Sequence, residues 1–202
     1  MRFREAEEYI NQAIEITERE FGLESEMMAM CLSARINLYI SEGNAKEAYL
    51  SIEELEEILL KKAEKKSLAY AELLILKSQT DISSEEKGKL LHEVLDIYEQ
   101  HLDKGNYNFI NIHLSLAYNY TVLHDFNKAE EHLKLASELV RTIYGEGSIS
   151  EGRVLMGYCN LYIEQDAYEK ASDAIKRIKK IESRHNIANN FELALYESKI
   201  HL

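Results

Sequence analysis

Four alanines set a period along this chain. Ala6 and Ala48 are 42 residues apart, and so are Ala129 and Ala171. Between Ala48 and Ala129 lie 81 residues, close to two further periods. Each alanine is followed by apolar residues at +4 and +7: Ile10 and Ala13, Ile52 and Leu55, Leu133 and Ala136, Ile175 and Ile178. That spacing draws one face of an α-helix. A unit that recurs with such a face cannot bury it alone, so stacked neighbours must cover it.

The segments before the alanines recur too. Asn37-Leu-Tyr-Ile-Ser-Glu-Gly-Asn-Ala-Lys-Glu-Ala48 parallels Asn160-Leu-Tyr-Ile-Glu-Gln-Asp-Ala-Tyr-Glu-Lys-Ala171. A third copy, Tyr118 to Ala129, has the same length. In all three a tyrosine (Tyr39, Tyr120, Tyr162) stands nine residues before the alanine. A second helix therefore precedes each alanine helix, across a short polar turn. Leu116, Ala117 and Tyr120 mark it in the third copy, and Leu155, Tyr158, Cys159 and Tyr162 in the fourth. The chain has 202 residues and no proline, the strongest helix breaker, and is rich in good helix formers. An all-α protein is expected.

The pattern resembles the tetratricopeptide signature: large, x2, large-small, x2, Tyr, a turn, then Ala, x3, large, x2, Ala. The small residue (Ala117 or Cys159) and the alanine after the turn would meet where the two helices cross. The extra length of each unit falls at Phe21-Gly22-Leu-Glu-Ser25 and Tyr144-Gly145-Glu-Gly-Ser148. This step is similar to the longer repeat of kinesin light chains and their bacterial relatives. Gly22 and Gly145 suit helix stops at positive φ, and Ser25 and Ser148 or Ser150 suit N-caps. The resemblance implies a right-handed superhelical solenoid of antiparallel helix pairs, a single array over residues 1–202.

About ten helices are expected, near 2–21, 27–41, 45–64, 66–79, 83–102, 107–123, 126–143, 149–164, 168–183 and 188–201. The match weakens over 66–103, where Gly88 or Leu90 replaces the alanine and Thr80-Asp-Ile-Ser-Ser84 is out of register. Arg35 stands where a leucine is usual, and Ile36 where a small residue is. The chain opens in a second helix and closes in a first helix, Phe191–Leu202; either these end helices act as caps, or the chain is a piece of a longer array. Unpaired end helices would promote end-to-end dimers.

Chemistry is sparse. No glycine-rich phosphate loop and no HExxH occur. The seven histidines are scattered, and His124 and His132, flanking a turn, lack a third ligand. Cys159 falls on the buried crossing position, the wrong place for a nucleophile. Cys31 lies too many helices away for a disulfide. The net charge of −12 disfavours nucleic acid and anionic membranes. Its plain reading is solubility; a basic partner is the alternative. Tyr39, Tyr120, Tyr162 and Tyr168 fall on repeat core positions rather than a base-stacking surface. No apolar run is long enough to span a membrane. The lack of a secretory leader and the two isolated cysteines suit the cytoplasm. Asn119-Tyr-Thr121 is a glycosylation sequon that should be silent there. No metal or cofactor is expected.

The resemblance places ligand contacts on the first helix of each repeat, at positions 2, 5, 9, 12 and 13. In the first array position these are Met30, Ser33, Asn37, Ile40 and Ser41. In the third they are Asn111, Leu114, Tyr118, Thr121 and Val122. In the fourth they are Arg153, Met156, Asn160, Ile163 and Glu164. From these, Ser33, Asn37, Asn111, Tyr118, Thr121, Arg153, Met156 and Asn160 form the candidate peptide-binding set. The amides can donate to and accept from a peptide backbone. A clamp for a C-terminal carboxylate is not expected, because its positions read Ser33, Ala34, Ser115 and Gly157, with only Asn37 and Arg153 suitable. The expected function is a non-enzymatic scaffold for a protein or peptide partner. The alternative is the peptide-sensing part of a larger bacterial regulator.

Overall fold

The computed structural model describes residues 2–62, 65–187 and 191–200. Among them are ten helices and no strand: α1 (Arg2–Phe21), α2 (Glu26–Glu42), α3 (Ala45–Lys61), α4 (Leu68–Ser78), α5 (Ser84–His101), α6 (Asn108–Val122), α7 (Phe126–Tyr144), α8 (Ile149–Glu164), α9 (Tyr168–His185) and α10 (Phe191–Ile200). The expected extension of the third helix to 64, and the ends of the tenth at 188 and 201, lie outside the described residues.

Local chemistry explains the boundaries. Gly22 and Gly145 adopt φ of 85° and 76°, where a side chain is costly. Ser25 Oγ accepts from the Met28 N–H at 3.1 Å. Ser148 Oγ accepts from the Glu151 N–H at 3.3 Å, so Ser148 rather than Ser150 is the cap. Each contributes about 1 kcal/mol against alanine.

Three turns between first and second helices share one closure. The N–H groups of Asn44, Asp125 and Ala167 donate to the carbonyls of Tyr39, Tyr120 and Tyr162 at 2.9, 2.9 and 2.8 Å. The residue before each donor, Gly43, His124 or Asp166, sits at positive φ. This double closure satisfies carbonyls that a helix end would leave orphaned.

The helices gather into two compact units, Met1–His101 and Leu102–Leu202. In the first, α2 packs on α1, α3 and α4, and α5 packs on α4. In the second, α8 packs on α6, α7, α9 and α10. In both units the first helices touch one another (α2 with α4; α6 with α8 and α8 with α10), while α1 and α3, α3 and α5, and α7 and α9 do not.

The later repeat alanines sit at the crossings to which the spacing assigns them. Ala48, Ala129 and Ala171 are at most 1% exposed. Cys159 Sγ lies 3.8 Å from the Ala171 carbonyl at the α8–α9 crossing. Around it Leu155, Ala174, Ile175, Ile178, Ile181 and Leu193 form one cluster. Leu193 brings α10 into that cluster, and Lys179 bonds Glu197 at 2.5 Å beside it. Each such aliphatic side chain contributes about 1.5–3 kcal/mol by leaving water. Helix α1 keeps the register, but Ala6 and Ala13 are only half-buried, as is Ile10, and Thr17 alone is buried among its described residues.

Two departures from the repeat are accommodated. Arg35 donates to Ser51 Oγ at 3.0 Å and pairs with Glu54, so its head is held against α3. Ile36 is fully buried at the crossing position. In the α4–α5 pair, buried Leu91, Val94, Ile97 and Tyr98 stand at +4, +7, +10 and +11 from Lys87, as buried Ile52, Leu55, Ile58 and Leu59 stand from Ala48, a spacing that neither Gly88 nor Leu90 reproduces. Lys87 lies 39 residues after Ala48 and 42 before Ala129. The repeat has thus lost three residues once, and Ser78 takes the tyrosine's place. Tyr168, expected in the core, is 41% exposed, and its hydroxyl donates to Asp166 at 2.7 Å.

Candidate functional site

On the first helices, burial sorts the predicted contacts by angle. At about 100° per residue, positions 2, 9 and 13 fall within a sector of about 40°, and position 12 lies about 80° from its centre. Asn111, Tyr118 and Val122 on α6 are exposed, Tyr118 by 60%. Arg153 and Glu164 on α8 are exposed, and Asn160 and Met156 are half-buried. Thr121 is 2% exposed, and its hydroxyl donates to its own helix at Ala117 O, 2.9 Å away. Ile163, at the same repeat position, is buried as well. Ser33 is 9% exposed. Thr121 and Ser33 therefore belong to packing between helices, because each turns toward the neighbouring helix rather than outward.

The second unit brings four candidates onto two adjoining helices. Arg153 donates from Nη2 to Asn111 Oδ1 at 3.1 Å, although 42 residues separate them. The bond joins the same repeat position on α8 and α6, which verifies the register with a side-chain contact. Tyr118 and Asn160 share the next position along the same face. In the first unit Asn37 occupies that position on α2, is exposed, and donates to Ser33 O at 3.0 Å. That bond uses only its amide nitrogen, which leaves the amide oxygen as an acceptor for a ligand. Ser115, which the sequence offers only as a position of the carboxylate clamp, is exposed on α6 beside this sector.

Candidate chemistry elsewhere resolves into packing. Burial pushes the Cys159 thiol up to about 12, so it stays protonated. Cys31 is half-buried, with Thr17 Oγ1 3.6 Å from its sulfur. His132 contacts His113, not His124: the two Nδ1 atoms are 3.1 Å apart, and His132 stacks on Tyr120 at 5.5 Å. Burial and the neighbouring imidazole lower His113 to about 4. His124 sits edge-on to Phe126. No group of three metal-ligating side chains converges among the described residues. Asn119 of the sequon is 2% exposed, so its amide is closed to a glycan as the chain is folded. No described helix is long and apolar enough to cross a membrane.

No protein-family model matches the chain, and no curated protein does. Solved structures do. A protein of Podosopora anserina described as a kinesin light chain of nearly identical TPR-like repeats superposes with a TM-score of 0.69 at 18% identity, covering 91% of this chain and 88% of that one. A variant of the same protein gives 0.68 at 17%, with the same coverage. BtubC (BKLC) of P. vanneervenii gives 0.71 at 16%, covering 98% of this chain and 80% of its own. At such identities the likeness is one of fold. The chain has the TPR-like helical-repeat fold, a solenoid architecture.

Proposed function

We propose that this chain is a non-enzymatic, cytoplasmic binding module whose first-helix faces hold a protein or peptide segment. The observation that supports it is the face shared by α6 and α8. Asn111, Tyr118, Arg153 and Asn160 project from successive first helices, joined by the Asn111–Arg153 bond. Such a face offers amides for a peptide backbone, a guanidinium for a carboxylate, and an exposed aromatic anchor. Met156 supplies an apolar edge beside them. Asn37 gives the first unit the same residue at the same repeat position. Reading residues 1–202 as one array is part of this proposal, as is end-to-end pairing of copies, which sedimentation would reveal.

Peptide arrays probed with the labelled chain provide the test. Every hit is then measured against the Asn37→Ala/Asn160→Ala double variant and against Tyr118→Ala. Binding should fall at least tenfold, about 1.4 kcal/mol, in one or both. Unchanged affinity in both would remove the first-helix face as the binding surface.

A further inference from the structure

The outer side of the second unit carries a feature that the repeat pattern does not announce. No Cα of α7 comes within 8 Å of one in α9, and a groove lies between the two helices, floored by α8. Its volume is about 1010 Å³, at the upper limit of small-molecule pockets. From Lys170 to Arg184 the α9 wall runs 14 residues, about 21 Å at the helical rise. That length matches roughly six residues of extended chain. The floor offers Tyr158 and Tyr162, stacked with centroids 5.7 Å apart and both half-buried.

The charge in this groove runs against the rest of the molecule. The chain as a whole carries −12. Of the groove's acids, Glu130 is held by Lys134 at 3.1 Å, and Asp173 by Lys176 at 2.9 Å. Glu151 is used twice, by Arg177 at 2.7 Å and by the Gly147 N–H at 2.6 Å. Only Glu138 and Glu146 are left without an ion pair among the described residues. Against them stand Arg141, Lys180 and Arg184, which line the groove, are exposed, and have no ion pair among the described residues. Lys170 adds a fourth cation at the far end, 5.5 Å above the Tyr162 ring. At an ionic strength near 0.1 M charges are screened over about 10 Å. A segment lying in the groove would therefore respond to these four cations more than to acids on distant helix faces.

We propose that this outer groove is a second binding surface, which takes an extended acidic peptide segment with an apolar residue near its centre. The apolar residue packs on the Tyr158–Tyr162 stack. Carboxylates on one side reach Lys170, and those on the other reach Arg141, Lys180 and Arg184, the two guanidiniums donating to carboxylates in bidentate geometry. The surface is separate from the first-helix face, so either can fail without the other.

The test is fluorescence anisotropy with a labelled eight-residue peptide, two phenylalanines flanked on each side by three glutamates. A control peptide carries lysines in place of the glutamates. The acidic peptide should bind and the lysine peptide should not. Lys180→Glu/Arg184→Glu should weaken binding at least tenfold, with Lys180→Glu alone giving part of that loss. Asn160→Ala and Tyr118→Ala, on the other face, should leave it unchanged. Circular dichroism checks that each variant is folded; should the double variant unfold, the exposed Lys180→Glu and Lys170→Glu variants carry the comparison. Equal binding of the two peptides, no binding of either, indifference to charge reversal, or a loss caused by the first-helix substitutions would each overturn the proposal.

Discussion

The α4–α5 pair and the two pairs that follow it fold to the same plan with different chemistry. In α6–α7 and α8–α9 a fully buried alanine meets a small residue, and a tyrosine carbonyl closes the turn. In α4–α5 the alanine's place holds half-buried Lys87, and the tyrosine's place holds Ser78, whose hydroxyl donates to Ile75 O at 2.7 Å. Its turn uses Thr80, which donates from both N and Oγ1 to Lys77 O at 3.1 and 2.7 Å. Ser83 then caps α5, accepting from the Glu86 N–H at 3.1 Å. The repeat therefore tolerates the loss of its signature where other groups satisfy the same backbone atoms. What it keeps is the buried face, Leu91 and Val94 with Ile97 and Tyr98.

Acid should separate the two regions most strongly. His113 on α6 is 8% exposed, faces His132 on α7, and is lowered from 6.5 to about 4. Both histidines of α5, His92 and His101, are exposed. A folded value below the unfolded one means that the unfolded chain binds the proton more readily. The stability that depends on neutral His113 is complete above pH 6.5 and is lost as pH falls from 6.5 through about 4. The loss is on the order of 3 kcal/mol. Urea unfolding across that range should show it, and His113→Leu should flatten the slope. Amide exchange should show α6–α7 opening before α4–α5; equal sensitivity of the two pairs would contradict the assignment.

The helix crossings come next. Ala171 is fully buried beside Cys159, so Ala171→Leu forces extra methylenes into a filled space. A loss of about 1–3 kcal/mol is expected. Lys87→Leu, at the equivalent position of α5, should change stability by no more than about 0.5 kcal/mol. Denaturant midpoints of the two variants measure the contrast directly. Equal losses would mean that Lys87 is not in the alanine's register.

Much of this was legible from the sequence because one backbone requirement recurs at a fixed interval. The 42-residue spacing located the crossings, and glycines at 22 and 145 marked helix ends. The register of α5 was not legible. Gly88 and Leu90 looked like better substitutes for alanine than a lysine, whose long stem can lie along apolar surface while its head stays in water. Position 12 of the first helices misled in the same manner. Thr121 is polar by type, yet its hydroxyl is satisfied by its own helix, so nothing prevents its burial. The outer groove was invisible for another reason. Its cations come from two helices, and which of them lose their partners depends on how α7 and α9 diverge.

The smallest contrast is the most diagnostic, because its two halves differ in sign. His124 stands five residues before Ala129 and holds φ of 56°. Left-handed backbone costs a residue with a side chain about 1–2 kcal/mol. Glycine removes that cost but adds freedom to the unfolded chain, so His124→Gly should stabilise by about 0.5–1 kcal/mol. Ile82 stands five residues before Lys87, the equivalent place in the α4–α5 turn. It is not among the residues at positive φ, so glycine relieves nothing there; it adds the entropic cost and removes a half-buried side chain. Ile82→Gly should destabilise by at least about 1 kcal/mol. Thermal midpoints of the two variants should therefore move in opposite directions. If both rise, the α4–α5 turn shares the left-handed closure of its neighbours, and the difference between the two regions lies in the crossing alone.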